Sequence, residues 1–244
     1  MKQYHSQFRQ LANCIFDGIL DLLFPPLCLI CGKSDQSYLC LDCIKKIKFI
    51  KPPFCRTCGI PLSDAEDRCT ECCNQEYFFD FARSVGVFDG VLRDAVHVFK
   101  FDRNVMLAEP LGKLMAQHYA ETHLIGMVDI VVPVPIHRFR MNERGFNQSV
   151  ELSRIFCDHT SLRFEPNALV KSKETRDQVG LPEEERFANI EGAFSVVEPA
   201  AIAGRRVLLI DDVFTTGATL NEAAKELRGA GASAVYAYTL ARRA

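Results

Sequence analysis

Val207-Leu208-Leu209-Ile210-Asp211-Asp212-Val213-Phe214-Thr215-Thr216-Gly217-Ala218-Thr219-Leu220 decides how the chain is read. Four long or branched apolar residues in succession predict a strand buried on both faces of a sheet. Two carboxylates end that strand, a Thr/Gly turn follows, and residues 221–228 have the pattern of a helix. The acids then sit at the carboxyl end of a strand with a helix N-terminus aimed at the same crevice, where open α/β sheets bind ligands. The N–H groups of residues 215–219 lack partners inside the helix, and its dipole adds partial positive charge. With Gly217 letting the main chain approach and Thr215, Thr216 and Thr219 supplying hydroxyls, the turn makes a phosphate cradle. Carboxylates would repel a phosphate, so Asp211 and Asp212 must face vicinal hydroxyls or a metal. A phosphate and a diol one sugar apart describe a ribose 5-phosphate. An ordinary strand, turn and capped helix accounts for neither the acid pair nor three threonines around a glycine.

Residues 207–220 resemble the signature of the type I phosphoribosyltransferases, which bind phosphoribosyl pyrophosphate (PRPP). That resemblance implies that Asp211 and Asp212, as catalytic residues, take the ribose hydroxyls, and that Thr215, Thr216, Gly217, Ala218 and Thr219 hold the 5′-phosphate.

The 244 residues suffice for one α/β domain and a smaller module, and 48% apolar content supports a proper core. A formal charge of −2 gives no whole-protein attraction to nucleic acid or anionic membrane, so any such binding is local. Of eleven cysteines, eight fall in Cys-x-x-Cys pairs: Cys28/Cys31, Cys40/Cys43, Cys55/Cys58 and Cys69/Cys72. That pattern favours metal thiolates in a reducing compartment over a disulfide framework. Each pair presents two sulfurs to one ion, and two pairs complete a tetrahedral structural zinc site, giving two Zn²⁺. Roughly fifty residues with few apolar side chains cannot fold on their own core, and structural zinc is worth on the order of 10–16 kcal/mol in small domains. Sequential pairing makes the shorter loops; an interleaved cross-brace is the alternative. Cys73 reads as a bystander.

Before this module, residues 8–23 carry apolar side chains at helical spacing with Asp17 and Asp21 opposite. The expectation is an amphipathic helix over 1–24 docking on the protein, because a membrane-surface helix wants basic residues on its polar face. With no run as long as a membrane span and no basic leader, the chain reads as cytoplasmic. Lys45, Lys46, Lys48 and Lys51 follow the first four cysteines. They either balance the negative metal–thiolate centres or form a nucleic-acid patch with Phe49 and Phe54 as stacking rings.

From residue 78 onward strand and helix signals alternate, predicting a parallel sheet. Strands are expected at 84–88, 128–134, 207–210 and 235–240, and helices at 92–101, 105–119 and 148–158. After the 128–134 strand comes a basic loop with His137, Arg138, Arg140 and Arg144 against Glu143, a local anion site. Arg144-Gly145-Phe146-Asn147-Gln148 resembles a motif of the ComF family, competence proteins that join a cysteine-rich zinc module to a phosphoribosyltransferase domain. The same resemblance extends to Lys100 within Val98–Arg103, and to Arg176, Gln178, Arg186 and Asn189 before Ala193-Phe194. It implies that Lys100, Arg138, Arg144, Arg176 and Arg186 hold pyrophosphate, the last two from a polar lid over residues 171–194. Pro182 marks a helix start inside that lid.

The expected architecture is therefore an α/β type I phosphoribosyltransferase fold with a hood over residues 78–244, preceded by a double zinc ribbon over 25–77. The expected function is PRPP binding with Mg²⁺ and pentosyl transfer to an unidentified base or amine, in DNA uptake or nucleotide salvage. The competing expectation is a non-catalytic adaptor that senses PRPP or nucleotide and docks single-stranded DNA or DNA-uptake proteins through its zinc module.

Overall fold

The computed structural model describes residues 26–63, 66–176 and 182–244. The expected N-terminal helix and Gln178 lie outside them. The chain divides into two compact units, residues 1–46 and 47–244.

In the first unit Cys28, Cys31, Cys40 and Cys43 gather around one point, with α1 (Leu41–Ile44) carrying the fourth ligand. Hydrogen bonds from Cys28 N–H to the Lys33 carbonyl and from Gly32 N–H to the Cys28 carbonyl close the knuckle.

In the second unit Cys55, Cys58, Cys69 and Cys72 form the equivalent cluster, with α2 (Thr70–Asn74) after the third ligand. This cluster belongs to the sheet's own core, packed with Phe79, Ala82 and Phe214. Its knuckle is tied to β1 (Phe81–Val87) by Ala82 N–H donating to the Thr57 carbonyl at 2.7 Å.

After β1 the chain runs through α3 (Gly90–Phe101), a short 3₁₀ turn at Val105–Leu107 and α4 (Ala108–Tyr119) to β2 (Ile130–Pro133). It continues through α5 (Arg138–Arg144), α6 (Gln148–Thr160) and β3 (Arg163–Phe164). A hood follows: β4 (Leu169–Lys171), α7 (Glu183–Ile190) and β5 (Phe194–Val196), with β4 and β5 paired antiparallel. The chain ends with α8 (Pro199–Ile202), β6 (Arg206–Phe214), α9 (Ala218–Gly229) and β7 (Ala234–Arg242). The main sheet is parallel throughout in the order β1-β7-β6-β2-β3, which brings the carboxyl ends of β2 and β6 side by side.

Two expectations need correcting. The acids do not end the signature strand. On one side β7 keeps pairing past them, Asp211 to Thr239 and Phe214 to Arg242, while on the other side β2 stops opposite Ile210. The acids thus stand on a strand with one flank open, and that flank is the crevice. The basic segment expected as a loop is helical over Arg138–Arg144. Gly145, at φ +83°, ends it in the left-handed conformation that glycine adopts without steric cost, and Asn147 caps α6 by accepting from Ser149 N–H.

Candidate functional site

At the carboxyl ends of β2 and β6 lies a cavity of about 450 Å³. Asp211, Asp212, Thr215 and Thr219 of the signature line it, with Lys100 from α3, Arg144, Gln148 and Ser149 from around the α5–α6 junction, and Arg176 and Arg186 from the hood. Arg138, expected to hold pyrophosphate, is missing from the lining while Arg140 takes a place there, and of the turn expected to hold the 5′-phosphate Thr216, Gly217 and Ala218 are missing too.

The acid pair is polarised. Lys100 Nζ lies 2.8 Å from Asp212 Oδ1, an ion pair mostly withdrawn from solvent. Asp211 Oδ1 instead accepts neutral donors, Ser149 Oγ–H at 2.8 Å and the Asp212 N–H at 2.9 Å. Desolvation, followed by the Asp212 charge, pushes Asp211 up to about 7, with Lys100 and these two donors opposing the rise. The residues after them form the turn. Gly217, at φ +85°, caps α9, and Ala218 N–H donates to Thr216 Oγ1. The first hydrogen bond of the helix is Asn221 N–H to the Gly217 carbonyl at 2.8 Å. Behind the turn, Arg242 Nη1 donates to the Thr215 carbonyl at 2.6 Å and Tyr77 Oη–H to the Thr216 carbonyl at 3.3 Å.

Within Arg144–Gln148 each residue has a separate task. Arg144 and Gln148 reach the cavity, joined by a 3.2 Å hydrogen bond from Arg144 Nη1 to Gln148 Oε1. Phe146 packs on Phe99 with ring centroids 5.3 Å apart, and Asn147 Nδ2 donates to the Val134 carbonyl at the end of β2. Gln148, one of the lining residues, is fully buried, and its Nε2 has no hydrogen-bond partner among the described residues. In the hood, Arg176 N–H donates to Asn189 Oδ1 and Asn189 Nδ2–H to the Arg176 carbonyl, a reciprocal pair that fixes the position of Arg176.

Tyr77, Ser149 and Arg242 were not singled out by the sequence. Ser149 carries the weak signal of lying one residue after a recognisable motif. Arg242 carries none, because its role depends on strand pairing across the sheet.

The cysteine clusters fit zinc. Sulfurs about 2.3 Å from a tetrahedral ion lie about 3.8 Å from one another. Observed separations are 3.8 Å for Cys28–Cys43, 3.6 Å for Cys31–Cys40 and 3.7 Å for Cys58–Cys69. The grouping is sequential, not cross-braced. Burial disfavours charge on Cys28, but N–H groups of Cys40, Ile30 and Cys31 outweigh it and bring the thiol down to about 6. Cys55 likewise falls to about 7, with burial overcome by N–H groups of Cys58, Cys69 and Thr57. The knuckle backbone thus prepares one thiolate in each cluster before metal arrives. Cys73 is exposed and outside both. Phe49 and Phe54, the rings near the lysine run, are engaged with His118 and Arg83. Among the described residues, no helix is long and apolar enough to cross a membrane.

The double zinc ribbon domain model matches residues 19–73, and the phosphoribosyl transferase domain model matches residues 151–244. Competence protein F of Haemophilus influenzae is 33% identical over 84% of this chain and 90% of its own length. DNA utilization protein YhgH of Escherichia coli K12 is 28% identical over 91% and 99%. Competence protein ComFC of Bacillus subtilis is 29% identical over 86% of each chain. Among solved structures, glutamine PRPP amidotransferase from B. subtilis aligns with 22% identity and a TM-score of 0.38, over 56% of this chain and 26% of that one. With that identity to Competence protein F over nearly its whole length, the chain belongs to the competence protein F (ComF) family, a double zinc ribbon joined to a phosphoribosyltransferase domain.

Proposed function

We propose that the protein binds PRPP and transfers its phosphoribosyl group to a nitrogen acceptor, in the DNA-uptake setting that the names of its relatives describe. The observation that carries this reading is the convergence in one cavity of an acid pair, a phosphate-type turn and arginines from two further elements. Asp211 and Asp212 accept from the ribose hydroxyls, and the amides and hydroxyls of Thr215–Thr219 take the 5′-phosphate. Lys100, Arg144, Arg176 and Arg186 hold the pyrophosphate, and the Gln148 Nε2 donor finds its acceptor on the ligand. Mg²⁺ arriving with the ligand would supply charge neutralisation of the leaving pyrophosphate beside these basic residues.

In the transfer, the bond from C1 to the pyrophosphate oxygen breaks, C1 passes through an oxocarbenium-like state, and the acceptor nitrogen bonds to C1 and loses its proton. The carboxylates favour the positive ring, and the hood keeps water from competing for C1.

Calorimetry with Mg-PRPP tests the binding, and pyrophosphate release across a panel of bases and amines tests the transfer. Asp211→Asn with Asp212→Asn should abolish binding while both zinc ions stay bound; retained affinity overturns the assignment. The adaptor reading predicts salt-sensitive single-stranded DNA binding lost on neutralising Lys45, Lys46 and Lys48. Its expected stacking rings are occupied, so the cavity is the better-supported site.

A further inference from the structure

Arg242 is buried at the end of β7, and among the described residues it has no carboxylate partner. A buried guanidinium needs compensating charge and acceptors for its donors. Nη1 has three acceptors, the Thr215 carbonyl at 2.6 Å, the Phe214 carbonyl at 3.4 Å and the Arg243 carbonyl, while Nε has no partner among the described residues. The charge is supplied by the second cysteine cluster, since Arg242 Nη2 lies 3.8 Å from Cys58 Sγ. A Zn(Cys)₄ centre carries about two net negative charges by ligand count. One planar group therefore links a metal ligand to the signature turn.

Two further contacts run the same way. The Arg242 guanidinium stacks 4.4 Å above the Phe214 ring, and Phe79 meets that ring in a T-shaped contact with centroids 6.0 Å apart. Tyr77 stacks on Phe79 at 4.7 Å and donates to the Thr216 carbonyl. Both carbonyls of the Thr-Thr pair are thus occupied from the side of the metal cluster, which keeps these oxygens away from an anion. Arg243, the next residue and just beyond the end of β7, lines the cavity.

We propose that the second zinc centre, acting through Arg242 and Tyr77, is the positioning device of the phosphate turn, so that metal occupancy and anion binding are thermodynamically linked. The first centre lies in the other compact unit and serves as the internal control. In its ligand-binding half the inference rests on the PRPP reading; in its structural half it does not.

Two measurements on the full-length, zinc-replete chain test it. The first is hydrogen exchange of the peptide over residues 213–221. It should exchange at least about tenfold faster in Arg242→Gln, with two zinc ions retained and exchange over β2 unchanged. Cys28→Ser with Cys31→Ser, which empties the first centre, should leave it unaltered. Should Arg242→Gln fail to fold, Tyr77→Phe removes one of the two carbonyl contacts and should show a smaller rise. Wild-type exchange in the folded variant overturns the proposal.

The second is chelator-driven zinc release from the Cys28→Ser/Cys31→Ser chain, with and without saturating Mg-PRPP. Linkage requires release to slow, by about fivefold or more, and that protection to vanish when Arg242→Gln is added. PRPP that binds yet leaves release unchanged overturns the linkage. If PRPP does not bind the wild type, the ligand reading falls, and the exchange result alone upholds or overturns the structural link.

Discussion

Lys100 Nζ and Asp212 Oδ1 are 2.8 Å apart, with side-chain exposures of 23% and 8%. The lysine comes from α3, more than a hundred residues before the strand that carries the aspartate, and it neutralises one acid of the pair. Asp211 is left to neutral donors, with burial first and the nearby Asp212 carboxylate second disfavouring its charge. The site therefore stores an electrostatic conflict that a diol and a phosphate-bearing ligand would resolve, and the conflict has measurable consequences without any ligand.

Asp211→Asn should raise stability at high pH. Burial and the Asp212 charge lift Asp211 from 3.8 to about 7, so between those values the folded chain holds more protons than the unfolded one. Stability then falls as pH rises through that window, and a neutral amide escapes the loss. The variant should melt several degrees above wild type at pH 8, the gain should be on the order of 1–2 kcal/mol, and it should shrink through that window and close only as the pH falls below 3.8. A gain that is independent of pH would refute the electrostatic cause.

Lys100→Met acts in the opposite direction. It keeps the apolar stem and removes the charge, leaving Asp212 buried beside Asp211. The cost should be on the order of 2 kcal/mol at pH 8, below the roughly 3–5 of a fully enclosed pair because solvent still reaches the ammonium. Adding Asp212→Asn should recover most of it, and denaturant melts of the two singles and the double measure the coupling directly.

How far the site was legible follows from what each residue depends on. The acid pair, the turn and the cysteine spacing are local patterns, and each implies its chemistry within eighteen residues or fewer. Asn147 and Gly145 belong to a motif visible in the chain, but their tasks as helix cap and helix stop emerge only once Arg138–Arg144 is seen to be helical. The short run from His137 to Arg144 gives too few apolar positions for a helical period to show. Arg242 was illegible for another reason. Its neighbours Cys58 and Thr215 are 184 and 27 residues away in the chain, so only the β1-β7-β6 order brings them together. The same order explains why the strand outruns its acids, since β7 extends to Arg242 while β2 stops at Pro133.

Gly217→Ala should be the most damaging change that removes no functional group. The residue sits at φ +85°, and a Cβ there would lie 2.7 Å from Phe214 Cζ and 3.2 Å from the Tyr77 ring. Backbone strain costs on the order of 1–3 kcal/mol, and the overlap adds to it by displacing the ring that supports the turn. Mg-PRPP affinity should fall by at least tenfold. Phe214→Leu added to it relieves the overlap but not the φ, so partial recovery of affinity is expected. Full recovery would show that the backbone conformation carries no weight.

Gln148→Met separates binding from folding. In the ligand-free protein the Nε2 group is buried and unpaired, a state that costs about 1–3 kcal/mol for a desolvated donor. Deleting it removes that penalty and also loses the acceptor for Arg144, so the two effects nearly cancel and the melting temperature should stay within a few degrees. Affinity for Mg-PRPP should nevertheless weaken by about tenfold, the equivalent of one charge-assisted hydrogen bond to a phosphate oxygen. Gln148→Glu is the sharper variant. It keeps shape and offers Arg144 a better acceptor, while placing a negative charge where the ligand's anion should lie. Stability should rise slightly as the Arg144 contact becomes an ion pair, and PRPP binding should be lost altogether. Were the glutamate variant to bind PRPP as wild type does, the donor would be facing something other than the ligand.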